Sequence, residues 1–161
     1  RMRAIRNHGG IKRGDHDYVG MNGRFDTIQA AILLAKFPHF DFEINARAEI
    51  GARYSALLKS VCKTPKISTG NSHVYAQYTI RMANRDSVKQ KLQDAGIPSA
   101  IYYQKCLHEQ PVFASTEAKW GDFPVSEMIS REVLSLPMHP FLDEETQDQI
   151  VESVIKAIEI E

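Results

Sequence analysis

The sequence predicts an α+β fold, with helices packed on a small sheet of about three strands. Three observations carry that expectation. "VYAQYTIR" (74–81) alternates apolar and polar residues with the period of a strand, Val74, Ala76, Tyr78 and Ile80 on one side. "NRDSVKQKLQDAGIP" (84–98) reads as a helix, with a cap at Asp86, an apolar line at Val88, Leu92 and Ala95, and a stop at Gly96 and Pro98. The extended "SAIYY" (99–103) follows at once. Strand, helix and strand make a βαβ-like unit, whose right-handed crossover sets both strands in one sheet.

The other elements are read in chain order. Asp26 caps a helix in which Gln29 completes a capping box, with Ile28, Ala31, Ile32 and Ala35 along one face. Pro38 ends it near Phe37 and opens a second helix, whose stripe of Ile50, Tyr54, Leu57, Leu58 and Val61 runs to about residue 61. Beyond the 74–103 unit come a Pro-containing loop, a helix near 124–134 and the short segment "SLPMHP". The last helix is capped by Asp143, carries Glu144 and Glu145 at its positive end and buries Ile150, Val151, Val154, Ile155 and Ile158.

Composition narrows the function classes. A chain of 161 residues with 43% hydrophobic content can bury one real core. Its 20 basic and 20 acidic residues cancel without long blocks of one sign, which argues against nucleic acid or an anionic membrane as partner. No stretch reaches the roughly 20 apolar residues of a membrane span, and "RMRAIRNHGG" has no signal-peptide core, so a cytoplasmic location is expected. Cys62 and Cys106 form no CxxC pair and are expected to be reduced, largely buried thiols. His8, His16, His39, His73, His108 and His139 lack metal-ligand spacing, and no metal site is expected. No phosphate-binding glycine loop, HExxH or Gly-x-Ser-x-Gly elbow occurs.

Two stretches concentrate polar chemistry. In "MNGRFD", Asn22 and Arg24 precede a helix N-terminus, where unpaired N–H groups favour an anion, so the pair suits a phosphate cradle. From spacing alone a plain turn suits it better, with Asn22 in a left-handed conformation and Arg24 paired with a nearby carboxylate such as Asp26. In "YYQKCLHEQP", Tyr102, Tyr103, Lys105 and His108 gather at a strand end, where α/β folds converge polar groups on ligands; tyrosines also fill ordinary cores.

Taken in order, "RNHG", "VGMNGRFDTIQAAIL", "HVYAQYTIR", "GIPSAIYYQKCLHEQPVF" and "LSLPMHPFL" closely resemble the C-terminal half of the DegT/DnrJ/EryC1/StrS sugar aminotransferases. The resemblance implies the aspartate-aminotransferase (fold type I) architecture, pyridoxal 5′-phosphate as cofactor, and amino transfer from glutamate to a nucleotide-linked keto sugar for surface glycans or related sugars. It implies residues 1–37 as the end of a large domain with an active-site loop and interface helix, and 38–161 as a small C-terminal domain beginning with a long linking helix. Asn22 would reach the cofactor phosphate of the neighbouring subunit in a homodimer, with Arg24 beside it facing cofactor or substrate. Tyr102, Tyr103 and His108 would line the sugar-nucleotide site. Gln104 stands where relatives commonly have proline. The Schiff-base lysine, the acid at the pyridine nitrogen and the ring-stacking residue belong to the family's large domain, and none of the ten lysines here has the cofactor lysine's context. No catalytic residue is therefore expected in this chain, which reads as the C-terminal portion of such an enzyme. A non-catalytic interaction or oligomerisation module that binds a full-length subunit is the alternative.

Overall fold

The computed structural model describes residues 1–115 and 117–159, so the end of the 38–161 region lies outside the described residues. The chain forms two compact units, Arg1–Asp41 and Phe42–Glu161.

The first unit is a loop laced onto a single helical turn, α1 (Met2–Ile5), and followed by α2 (Thr27–Lys36). Its lacing is made by backbone groups: His8 N donates to Met21 O at 3.0 Å, Met21 N to Ile5 O at 2.8 Å and Gly23 N to Arg6 O at 2.7 Å. Two segments approach so closely at Gly9 and Gly20 that a side chain would not fit: a Cβ on Gly9 would lie 1.7 Å from Tyr18 O. Asp26 caps α2 as its sequence position requires, Oδ1 accepting from Ile28 N at 2.9 Å and Gln29 N at 3.1 Å. None of α2 is buried within the described chain, and Ile28 and Ile32 of the anticipated stripe are 74% and 55% exposed.

After a 3-10 turn containing Pro38, α3 (Phe40–Leu58) carries the chain into the second unit. There Ile50, Tyr54 and Leu58 form the buried stripe, while Leu57 faces outward. The sheet is a two-stranded antiparallel ribbon, β1 (Tyr78–Arg81) with β2 (Val133–Leu136), in the register Tyr78 to Leu136 and Ile80 to Leu134. A single bridge extends it on each side, Lys63 to Arg81 and Ala100 to Ser135. "SAIYY" reaches the same sheet as the βαβ reading expects, though as a one-residue bridge: Ala100 is antiparallel to Ser135 of β2 and hence parallel to β1, with β2 between them. The correction is β2 itself, since Val133–Leu136, read as the end of the 124–134 helix and the start of "SLPMHP", is the strand that pairs with β1.

The first strand is also shorter than its alternation suggests. His73 Nδ1 accepts from Tyr75 N at 2.8 Å, and Tyr75 takes a positive φ of 42°, so the chain turns before pairing begins. The turn reverses the expected sides: Tyr75 is buried and Val74 exposed. The core then joins Tyr75, Tyr78 and Ile80 to Leu134 and Leu136 of β2, Val88 and Leu92 of α4 (Arg85–Asp94), and Ile150, Val151 and Val154 of α6 (Glu144–Glu159). Asn84, not Asp86, stands at the N-cap of α4, and Gly96 follows that helix with φ +75°. Asp143 accepts from Thr146 N at 2.7 Å and caps α6 as expected. The remaining helix, α5 (Pro124–Glu132), leads directly into β2.

Candidate functional site

The ribbon has two unlike faces. Tyr78, Ile80, Leu134 and Leu136 point into the core; Thr79 and Ser135 lie on the opposite face, their hydroxyls 2.8 Å apart. That polar face is the floor of an open pocket of about 1290 Å³, walled by the loop 100–113 and by α5. Tyr102, Tyr103 and His108 all line it, with Lys105, Gln77 and Gln110. Tyr102 and Tyr103 are 56% and 76% exposed, so both rings stand at the rim with their hydroxyls accessible.

His108 is different in kind. Its side chain is only 8% exposed, its Nε2 lies 3.0 Å from Oε1 of Glu127, and its ring packs 4.9 Å from that of Phe123. Glu127 stands behind the pocket wall as the partner of His108, and sequence reasoning missed it; its position in an amphipathic helix looks like that of any solvated acid.

The loop gains its shape at Cys106. The Cys106 thiol and the Glu109 carboxylate each bond the other's backbone, Glu109 Oε2 accepting from Cys106 N at 2.8 Å. That bond is the main reason the Glu109 carboxyl titrates below its usual range. Burial pushes the Cys106 thiol upward, a bond with Ser130 partly offsets this, and Glu109 and Glu127 add to the rise. Those influences favour the protonated thiol.

In the first unit the "NGR" turn departs from the plain-turn alternative. Asn22 does not adopt a positive φ, and Arg24 does not pair with Asp26, whose carboxylate is occupied in capping α2. Arg24 Nε instead donates to Asn22 Oδ1 at 3.1 Å, which aligns the two side chains. Among the described residues, the Asn22 amide nitrogen and the terminal guanidinium nitrogens have no hydrogen-bond partner. Asp26 occupies two N–H groups of the α2 terminus, those of Ile28 and Gln29, and the Asn22 and Arg24 side chains add open donors beside it. No group of three or more metal-ligating side chains occurs among the described residues, and no described helix is long and apolar enough to cross a membrane.

The fold is that of fold-type I sugar aminotransferases and is consistent with a C-terminal part of that architecture. The architecture matches an aminotransferase from Brucella abortus with a TM-score of 0.92 at 42% identity, over 98% of this chain and 43% of that one. It also matches S. venezuelae DesV, solved with a ketimine intermediate, with a TM-score of 0.94 at 28% identity over 99% of this chain and 43% of that one. The chain belongs to the DegT/DnrJ/EryC1/StrS aminotransferase family, whose model matches residues 1–155. Among named relatives, the UDP-2-acetamido-2-deoxy-3-oxo-D-glucuronate aminotransferase of Pseudomonas aeruginosa is 47% identical over 143 residues, 88% of this chain and 39% of the relative. A pleiotropic regulatory protein of Geobacillus stearothermophilus is 43% identical over 158 residues, 96% of this chain and 42% of the relative. The chain therefore spans about two fifths of the length of these relatives.

Proposed function

We propose that the chain is the cofactor-phosphate and sugar-nucleotide binding portion of a cytoplasmic aminotransferase, working as a homodimer with pyridoxal 5′-phosphate. The reaction moves an amino group from glutamate to the keto carbon of a nucleotide-linked sugar, releasing 2-oxoglutarate. The observation that carries this reading is the family match over residues 1–155, joined to a pocket that gathers Tyr102, Tyr103 and His108.

Each group has a role its chemistry suits. Asn22 and Arg24 offer adjacent, unpartnered N–H donors, one neutral and one cationic, which fit the oxygens of a phosphate. They hold the cofactor of the neighbouring subunit, and Arg24 also faces its substrate. Pyridoxal phosphate, when bound, carries the amino group between donor and acceptor. Tyr102 and Tyr103 present flat apolar faces and hydroxyls to the sugar and its diphosphate. Lys105, exposed on the rim, adds positive charge for the diphosphate. None of the chain's ten lysines is the covalent anchor of the cofactor in this reading.

The test is a steady-state assay of the complete gene product with pyridoxal phosphate, glutamate and UDP-linked 3-keto sugars, following 2-oxoglutarate. Turnover is expected, and borohydride reduction should fix the cofactor to no lysine within residues 1–161. Reduction onto Lys105 would overturn the assignment of roles. A second reading, a non-catalytic interaction module, draws on the relative named as a pleiotropic regulatory protein and on the exposed apolar face of α2. It predicts no turnover with any keto sugar and retained self-association.

A further inference from the structure

Glu127 is buried, 4% exposed, and has no lysine or arginine partner among the ion pairs of the described residues. A carboxylate so placed is costly unless hydrogen bonds satisfy it. One oxygen, Oε1, lies 3.0 Å from His108 Nε2 and accepts from Gly121 N at 2.8 Å and Phe123 N at 3.3 Å. His108 belongs to the loop that follows the Ala100 bridge, whereas Gly121 and Phe123 form the turn before α5. A single atom thus ties two separate segments of the pocket wall to one helix.

The surroundings reinforce this arrangement. The His108 ring contacts Phe123 and lies 6.5 Å from Trp120, over which the Arg131 guanidinium sits at 4.3 Å. Ser130 Oγ donates to the Glu127 carbonyl at 2.8 Å, close to the Cys106 thiol. A carboxylate acceptor fixes Nε2 of His108 as the protonated nitrogen, which leaves Nδ1 as the ring's remaining polar atom. Satisfied buried networks of this kind specify one arrangement of the segments they join.

We propose that Glu127 is the positioning residue of the sugar-nucleotide pocket, holding His108 and the 101–113 wall in the shape that receives the nucleotide sugar. The inference rests on the aminotransferase reading for the identity of the ligand. It assigns no bond-making role to Glu127, which acts through the groups it holds.

The experiment compares Glu127→Ala with Glu127→Gln in the complete gene product loaded with pyridoxal phosphate. The amide keeps an acceptor oxygen, while alanine removes it. UDP-N-acetylglucosamine serves as the binding probe in calorimetry, the KM for glutamate as the internal control, and amide exchange across 105–123 as the report on the wall. Glu127→Ala is expected to weaken the probe by about tenfold or more and to speed exchange, with the glutamate KM within about twofold of wild type. Glu127→Gln should stay close to wild type in all three. Unchanged probe affinity in Glu127→Ala overturns the proposal, and so does an equal loss for probe and glutamate alongside a lower melting temperature. Should alanine not fold, Glu127→Asp withdraws the oxygen by one methylene and must weaken the probe for the proposal to stand. If wild type binds no UDP-N-acetylglucosamine, the ligand reading fails; the exchange arm then decides on Glu127, faster exchange upholding it and unchanged exchange overturning it.

Discussion

Replacing Gly51 by alanine sets two opposed effects against each other inside α3. Alanine is the better helix former by about 1 kcal/mol, so an open site would be stabilised. Gly51 is not open: a Cβ built there lies 2.4 Å from both Cδ2 and Cε2 of Tyr75 and 2.7 Å from its Cγ. Carbon atoms at rest sit about 3.5–4.0 Å apart, so the ring must move by more than about 1 Å. It is held on several sides, by Arg47 Nη1 on its carbonyl at 3.1 Å, by His73 on its N–H, and by rings at 4.3 and 5.6 Å. Overpacking a core costs about 1–3 kcal/mol, and a fixed ring belongs at the upper end. The expected net destabilisation of Gly51→Ala is therefore about 2 kcal/mol, read as a lower denaturation midpoint in urea at an unchanged slope. In a Tyr75→Leu background the same substitution should become neutral or stabilising, a coupling of about 1 kcal/mol or more. A more stable Gly51→Ala in the otherwise native sequence would refute the close-packing argument.

Asn22→Ala in the complete gene product should weaken retention of pyridoxal phosphate by about tenfold to 150-fold, the worth of one hydrogen bond to a charged group, with little change in melting temperature; titration of the apoenzyme checks this. Tyr103→Phe should raise the KM for the sugar nucleotide by about twofold to tenfold and leave that for glutamate unchanged, because a 76% exposed ring loses only its hydroxyl. The Cys62 thiol, pushed up by burial to about 11, and the Tyr78 phenol, raised to about 12 chiefly by burial, are both favoured in their protonated forms by folding. Their contribution is complete below the unfolded values and is lost as pH rises from about 9 towards 12, so thermal melts should fall over that window and Cys62→Ala should shift its lower edge upward.

Which features were legible in the sequence follows from how local their causes are. Asp26, Asp143 and Gly96 act within a turn of their own positions, and each bounds its helix as read. The 74–81 alternation was real only from Tyr78 onward, because the turn at Tyr75 is set by His73 and by packing on Gly51, neither of which leaves a periodic trace. "LSL" is too short to announce a strand and depends on β1 for its pairing. The rim residues Tyr102 and Tyr103 stood out as a local cluster. Glu127 did not, since its partners lie as many as 19 residues away and its burial follows from the loop's path.

The pocket itself is a consequence of the smallness of the sheet. A four-residue ribbon is too short to be stable alone, and here one face is sealed by α3, α4 and α6 through Tyr78, Ile80, Leu134 and Leu136. The other face carries Thr79 and Ser135, which satisfy each other, and so it does not demand an apolar cover. A long loop crosses it, held by its own bond at Cys106 with Glu109 and by His108 to Glu127 of α5, and gains little by collapsing onto hydroxyls. Space is left where a packed helix would otherwise lie. The same two hydroxyls that remove the drive to collapse leave a polar floor beneath a mostly apolar lining, which suits a ligand that offers both hydroxyls and flat apolar faces.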